Sequence, residues 1–439
     1  MENIKSALEQ FKNKHILVVG DIMLDWYTYG KVTRVSPEAP VPVLHKTHDK
    51  FVLGGAANVA HNIRSLGAKV TLAGTVGDDD HKDKIFALTR EHKIGACILL
   101  HKEKPTIIKH RLVTENYQQL LRLDAEDTHF LDDRTAEQLY NQIDRVISSC
   151  DIVIFSDYAK GTLTPLLAGR LIARAHQLGK QIVADIKPNT KDIFRGVDVI
   201  CPNIKESREM TGCTEDDDVE LVGKRLVDDL GSAIVMTRGG EGVSVFDKSG
   251  EHTHLPSVKV SVADITGAGD TIIAVAALGL AAHLELADAA RLANIAAGIV
   301  VQKPGVASVF VEELESALGD IRHTEGLKVV EKKWGYEKWL ENNEKYCCKL
   351  LVLNKGYQCS MHYHKSKDEM FLIIKGHVRL ELDKKVLHML PGHYVRLWPG
   401  AKHRFTGMKD SEILEVSTHH EEEDSYREEE SGKAEDMPF

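Results

Sequence analysis

The segment ADITGAGDT, residues 263–271, sets two glycines around Ala268, follows them with Asp270, and runs into an apolar helical stretch from Thr271. A turn of small residues entering a helix aims backbone N–H groups and the positive end of the helix dipole at one spot, which suits a phosphate or its pentacoordinate transition state. Asp270 then stands beside the transferring group, where a carboxylate can accept the proton of an attacking hydroxyl. A tight turn before a core helix is the competing reading of this string alone, and the rest of the chain decides between them.

Upstream, short apolar β-branched runs alternate with helix-length segments: HILVVGD from His15, then KVTLAGTVG, DIVIFSD, QIVADIK, VDVICPN and SAIVMTRGG, with LTPLLAGRLIARAHQLGK among the spacers. Continuous apolar strands separated by helices predict an α/β unit with a mostly parallel, buried sheet over residues 1–322. Ligands of such sheets bind at the carboxyl ends of the strands. Beyond Asp320 the pattern changes. IRHTEGLKVVEKK predicts a linker at 323–332, and the short alternating runs CKLLVLNKG, MFLIIKG, VRLELDKK and YVRLWPG predict a small β-barrel or jelly roll at 333–420. The acidic end, EEEDSYREEESGKAEDMPF at 421–439, has little to bury and reads as a disordered tail.

At 439 residues the chain exceeds what one core organises, and its net charge of −10 offers no overall basic field for nucleic acid. The seven cysteines are scattered without a CxxC pair, which argues against a disulfide framework or a cysteine zinc site. The polar N-terminus MENIKSALEQFKNK lacks a signal-peptide core, and the longest apolar stretch, IIAVAALGLAA from Ile272, falls well short of a bilayer span. The expectation is a cytoplasmic protein with no membrane and no nucleic-acid partner.

FVLGGAANVAHNIRSLGA at 51–68 adds a diglycine turn followed by Asn58 on a helix, and VVGDIMLDWY places Asp25 just beyond the first strand. Together with GAGD, these elements resemble the ribokinase-like carbohydrate kinases over about the first 320 residues. No GxxxxGK[ST] or GxGxxG string occurs. TRVSPEAPVPVL (33–44), KHRLVTENYQQLLRLD (109–124) and SDYAKGTLT (156–164) are similar to segments of the D-glycero-D-manno-heptose-7-phosphate kinases. The resemblance implies a parallel sheet flanked by helices with a small β lid, and ATP and Mg2+ as cofactors. It also implies phosphoryl transfer to the anomeric O1 of a sugar phosphate. Asp270 is then the base and Gly267, Ala268 and Gly269 the anion hole. Asp25, Gly54, Gly55 and Asn58 would contact sugar hydroxyls, and Lys109 and Arg111 would clamp the distal phosphate, with a solvated strand face as the alternative. Asn203 and Glu206 of CPNIKE match an element near magnesium and phosphate, or else form a helix cap. Thr237, Gly239 and Asn294 would line the nucleotide pocket. Asp185 and Lys187 match the family's Asp-Pro-Lys-Gly only in part, since Ile186 and Pro188 replace its proline and glycine. No adenylyltransferase HxGH signature follows, so adenylyl transfer is not expected.

GYQCSMHYHKSKDEMFLIIKG at 356–376 spaces Gly356, His362, His364, Glu369 and Gly376 as in the first cupin motif, and GHYVRLWPGAKH at 392–403 supplies His403. Trp398 and Gly407 depart from the second motif. The resemblance implies a divalent metal held by His362, His364, Glu369 and His403, with iron, manganese, nickel and zinc undistinguished. KKWGYEKWLENNEKYCCKLLVLNKG resembles the entrance to cupins related to type II phosphomannose isomerases. A barrel that makes or selects the kinase's sugar phosphate is one implication; a non-catalytic sugar-binding, regulatory or oligomerising module beside a kinase for another sugar is the alternative. By analogy with both families, a homodimer or higher homo-oligomer is expected.

Overall fold

The apolar run His15–Gly20 pairs in parallel with Lys69–Gly77 on one side and with Ile152–Ser156 on the other. Around this centre, the computed structural model of the protein builds a nine-stranded sheet. Gly95–His101 lies outside Lys69–Gly77, while Gln181–Asp185, Val199–Ile200 and Ala233–Thr237 extend the parallel array on the other flank. Val243–Phe246 and His252–Leu255 close that edge antiparallel. The structure describes residues 2–116, 118–257, 260–324 and 328–434. It divides into two compact units, Met1–Ala317 and Leu318–Phe439.

In the first unit the inner strands of the sheet are buried on both faces, which is why they read as unbroken apolar runs rather than alternations. Helices Asp133–Ile147, Pro165–Gln177 and Val219–Leu230 pack their apolar stripes on one cluster with Leu17, Val19, Phe155 and Ile182. Their starts are written locally: the Asp132 and Thr164 side chains accept from Thr135 and Leu167 N–H, and Pro165 follows Thr164 in the first turn. Helix Ala268–Ala281 is apolar nearly all round and correspondingly buried, packing on helices Ala56–Ser65 and Leu286–Val300.

A separate four-stranded sheet, ordered Pro42–Gly55, Ile22–Val35, Ile107–Thr114, Gln119–Ala125, is the small β sheet that the resemblance implies. Its strand Ile22–Val35 begins two residues after the central strand ends, so Asp25 stands at the carboxyl end of the main sheet. Gly54 pairs with Met23 across this hairpin, and a Cβ there would run into the Asp25 carboxylate and Met23 (3.3 Å).

The second unit is all antiparallel, with one sheet of six strands and another of seven on its main path and branches. Trp334, Phe371, Leu380, Phe405 and Ile413 centre its core. Two boundary expectations are corrected here. Lys328–Lys332, assigned to the linker, is a strand paired with Gly335–Asn342; burial of Trp334 at the turn anchors that hairpin. Residues 325–327 of the expected linker lie outside the described residues. The expected disordered tail is ordered as far as 434. Tyr426–Glu429 pairs with Met361–Tyr363, and Gly432–Lys433 with Tyr357–Gln358. Its acids meet barrel cations: Glu428 with Lys402 at 2.5 Å, Glu429 with Arg404 at 2.5 Å and Glu430 with Lys333 at 3.1 Å. Composition counts the charges and not what they meet. Residues 435–439 of the expected tail lie outside the described residues.

Candidate functional site

Gly267 caps the helix Ala268–Ala281 with φ +83°, a left-handed conformation that favours glycine, and a Cβ there would press on Asn58 Nδ2 at 3.1 Å. The N–H groups of Gly269 and Asp270 fall in the first turn, where no intrahelical acceptor exists. Asp270 is 6% exposed. Its two oxygens are held separately: Asn58 Nδ2 donates to Oδ2 at 2.6 Å and the Tyr158 hydroxyl donates to Oδ1 at 2.5 Å. Burial pushes Asp270 up to about 6; the two hydrogen bonds and Lys187 oppose that rise, and the Asp25 charge adds to it. A carboxylate held there is ionised at neutral pH yet basic enough to take a proton.

Asp25 pairs with Arg111 on the adjacent parallel strand of the small sheet. Burial raises the Asp25 carboxyl despite that guanidinium. Lys109 bonds Asp124 at 2.9 Å and also Glu126, which takes Lys160 at 2.7 Å. The proposed phosphate clamp is thus neither a solvated strand face nor a free pair of cations: both side chains are partly buried and engaged by carboxylates.

A second group forms at the ends of the neighbouring strands. Lys187 bonds Glu206 at 2.7 Å and Asp185 at 3.4 Å. Burial and the Glu206 and Asp270 charges push Asp185 up to about 7 against the pull of Lys187. For Lys187, burial opposes its charge, and Asp185 and Glu206 outweigh it. Asn203 and Glu206 form a complete capping box on helix Ile204–Thr211, so the cap and the Lys187 contact coexist in one carboxylate. Thr237 bridges to Asn203. Gly239 opens a single 3-10 turn, and Asn294 donates to the Pro256 carbonyl at 3.0 Å; among the described residues no hydrogen bond joins either to this group.

In the barrel, His362, His364, Glu369 and His403 face one another. Glu369 lies 3.5 Å from His364 Nε2 and 3.6 Å from His403 Nε2, and the His362 and His403 rings are 4.3 Å apart. His362 lies on the short strand Met361–Tyr363, and His364 follows just past its end. Each imidazole Nδ1 contacts a backbone carbonyl, of Ser360, Asp424 and Ala401 respectively, which leaves the Nε2 atoms free to act as donors to a metal. His403 Nε2 is buried without a hydrogen-bond partner among the described residues. Burial, then the neighbouring His403, lowers His362 to about 4, and burial likewise lowers His403 to about 4. This donor chemistry fits a divalent ion. As placed, however, no group of three or more His, Cys, Asp or Glu among the described residues is arranged to hold a metal. The Lys367 ammonium takes Glu369 Oε1 at 2.8 Å and Glu415 at 2.5 Å.

Tyr158, Lys160, Lys367 and Glu415 are the residues the sequence did not single out for a role. Tyr158 carried a usable signal, since it lies two residues past the strand Ile152–Ser156, at the carboxyl edge where α/β ligands bind. Lys367 lay inside the quoted motif, but a lysine between two candidate ligands has no reading until its partner Glu415, far along the chain, is located.

Residues 13–313 match the pfkB family of carbohydrate kinases, and residues 349–417 match the cupin domain. The bifunctional protein HldE of Paramagnetospirillum magneticum is 39% identical over 330 residues, covering 74% of this chain and 67% of that protein. Its counterpart from Chromohalobacter salexigens is 40% identical over 317 residues, covering 72% and 66%. The matched stretch thus spans about two thirds of these relatives. Among solved structures, phosphofructokinase-2 from Escherichia coli superposes with a TM-score of 0.58 at 19% identity, covering 70% of this chain and 99% of that one. Ribokinase from Giardia lamblia gives 0.57 at 22%, covering 69% and 99%; these two speak to the fold alone. No helix among the described residues is long and apolar enough to cross a membrane. With the buried Asp270 at the head of its helix, the chain belongs to the pfkB family of carbohydrate kinases and carries a cupin domain after the kinase unit.

Proposed function

We propose that the first unit transfers the γ-phosphoryl group of magnesium-ATP to the anomeric O1 of D-glycero-D-manno-heptose 7-phosphate, giving the 1,7-bisphosphate. The observation that carries the kinase chemistry is the Asp270 carboxylate, buried and oriented by Asn58 and Tyr158 at a helix N-terminus. The choice of sugar is supported by the segments at 33–44, 109–124 and 156–164 and by about 40% identity to proteins named HldE. Asp270 accepts the O1 proton as the oxygen attacks. The Gly267, Ala268 and Gly269 turn meets the charge developing on the phosphoryl group. Asp25, Gly54, Gly55 and Asn58 orient the sugar, and Lys109 and Arg111 exchange their carboxylate partners for its distal phosphate. Asp185, Lys187, Asn203 and Glu206 face the nucleotide phosphates and magnesium, with Thr237, Gly239 and Asn294 toward the nucleotide.

For the barrel, the reading is a pocket that binds or isomerises a sugar phosphate. His362, His364, Glu369 and His403 would hold a divalent transition metal, which when bound supplies Lewis-acid polarisation of sugar oxygens. The Lys367 contact to Glu369 favours a second reading, a binding module that regulates the kinase or joins copies into a homo-oligomer. ADP release from magnesium-ATP with either the heptose 7-phosphate or sedoheptulose 7-phosphate as the only sugar separates these. ADP from the aldose alone supports the kinase with a binding barrel. ADP from both, with only the ketose response lost in His362→Ala, supports coupled isomerisation, and ADP from neither sinks the heptose reading.

Tyr158→Phe tests the site's internal wiring. The tyrosine hydrogen bond lowers the Asp270 pKa, so its loss should move the acid limb of kcat/KM to higher pH, by up to about one unit for a net hydrogen bond of about 1 kcal/mol. A pH profile that shifts down or stays fixed contradicts the assignment.

A further inference from the structure

The barrel encloses a pocket of about 580 Å³ that includes His362, His364 and His403. Its wall includes the C-terminal strand segment that composition marks as a tail, residues 425 and 427–431. That segment is built into the site. The Asp424 carbonyl contacts His364 Nδ1 at 2.8 Å, and the Asp424 carboxylate accepts the N–H groups of Lys365, Ser366 and Lys367 at 2.9, 3.1 and 3.2 Å. Tyr426 stacks on Tyr363 with centroids 5.3 Å apart.

The pocket's lysines are matched. Lys332 and Lys333 face Glu337 at 3.6 Å and Glu430 at 3.1 Å, Lys367 holds Glu369 and Glu415, and Lys349 lies 4.0 Å from Glu415. The fifth lining cation, Arg427, has no ion-pair or hydrogen-bond partner among the described residues. It is directly opposite His362 in the antiparallel register, and cross-strand partners share a face of the sheet. A guanidinium beside an imidazole cluster, with no acid of its own, is a fork for a planar or tetrahedral oxyanion.

We propose that the 421–434 segment is part of the barrel's ligand site and that Arg427 is its anion-binding residue, for a small phosphorylated sugar whose polar body reaches the imidazoles. The proposal rests on the reading of the barrel as a sugar-phosphate pocket and adds the residue that recognises the phosphate and the segment that presents it.

Hydrogen–deuterium exchange of the full-length protein tests it, because peptides of the 425–434 segment, of the imidazole strands and of the Asp270 helix are read separately. The probes are sedoheptulose 7-phosphate, sedoheptulose and inorganic phosphate at equal concentration. At ten times its Kd, the sugar phosphate should slow exchange in the segment by about tenfold, with sedoheptulose ineffective and the protection lost in Arg427→Gln but partly kept in Arg427→Lys. Full protection by inorganic phosphate alone supports the anion site and assigns it a free oxyanion. Protection of the segment that survives Arg427→Gln, or that sedoheptulose matches, overturns the role of Arg427. Protection of 361–369 and 403–407 without the segment keeps the barrel as a sugar-phosphate pocket and overturns this inference alone; no protection in the barrel by any probe overturns both.

Discussion

Asp270→Asn is expected to lower kcat by about 10²–10⁴, the usual worth of a positioned general base. The substitution keeps the shape and one acceptor for Asn58 or Tyr158, so the fold should persist and substrate KM should change far less than kcat. The parent is expected to show an acid limb of kcat/KM near pH 6 and the variant to lose it, because burial pushes Asp270 up to about 6 and its ionised form is the one that accepts a proton. Activity therefore falls as pH drops through that value in the parent and not in the variant. A variant that keeps the parent's kcat, or the parent's acid limb, places the base elsewhere.

The largest stability effect should come from Lys367→Met in the barrel. Lys367 is nearly inaccessible, bonds Glu369 and Glu415 together, and its removal leaves two buried carboxylates without their shared cation. Breaking a buried pair by deleting one partner costs about 3–5 kcal/mol. Denaturant unfolding of the full chain, followed by the barrel tryptophans Trp334, Trp339 and Trp398, should show a lower midpoint for that transition, with Glu415→Gln in the same chain restoring part of the loss. The pH dependence has a fixed sign. Burial opposes the Glu415 charge, and Lys367 and Lys349 outweigh it, leaving the carboxyl depressed to about 2. Its contribution is complete above the ordinary glutamate range and is lost as pH falls through about 2. An unchanged midpoint in Lys367→Met would mean that solvent reaches these carboxylates.

Legibility in the sequence follows the range of the forces involved. The parallel strands and the turn before Asp270 are local: an apolar run, its flanking helix and a small-residue entry are all contiguous, and each appears where the sequence places it. The pairing of Asp270 with Asn58 is 212 residues long-range, yet both residues were visible because each sits in its own glycine-marked element. Tyr158 has no such marker. The C-terminal segment failed for a different reason. Its glutamates look unburiable only while Lys402, Arg404 and Lys333 are out of sight, and its backbone ladder to Met361–Tyr363 leaves no trace in composition. Lys367 shows the same limit inside a recognised motif, where spacing picks out candidate ligands and is silent on the cation bonded to one of them.

The central claim is that the kinase phosphorylates the anomeric oxygen of a heptose that already carries a phosphate. Phosphorus NMR of the product formed from magnesium-ATP and D-glycero-D-manno-heptose 7-phosphate tests it most directly. The expected spectrum holds two sugar phosphorus signals of equal intensity, one coupled to the C7 protons and already present in the substrate, and a new one coupled to the anomeric proton that does not grow with Asp270→Asn. A single unchanged sugar phosphate signal, or a new signal coupled to a proton other than that on C1, contradicts the account.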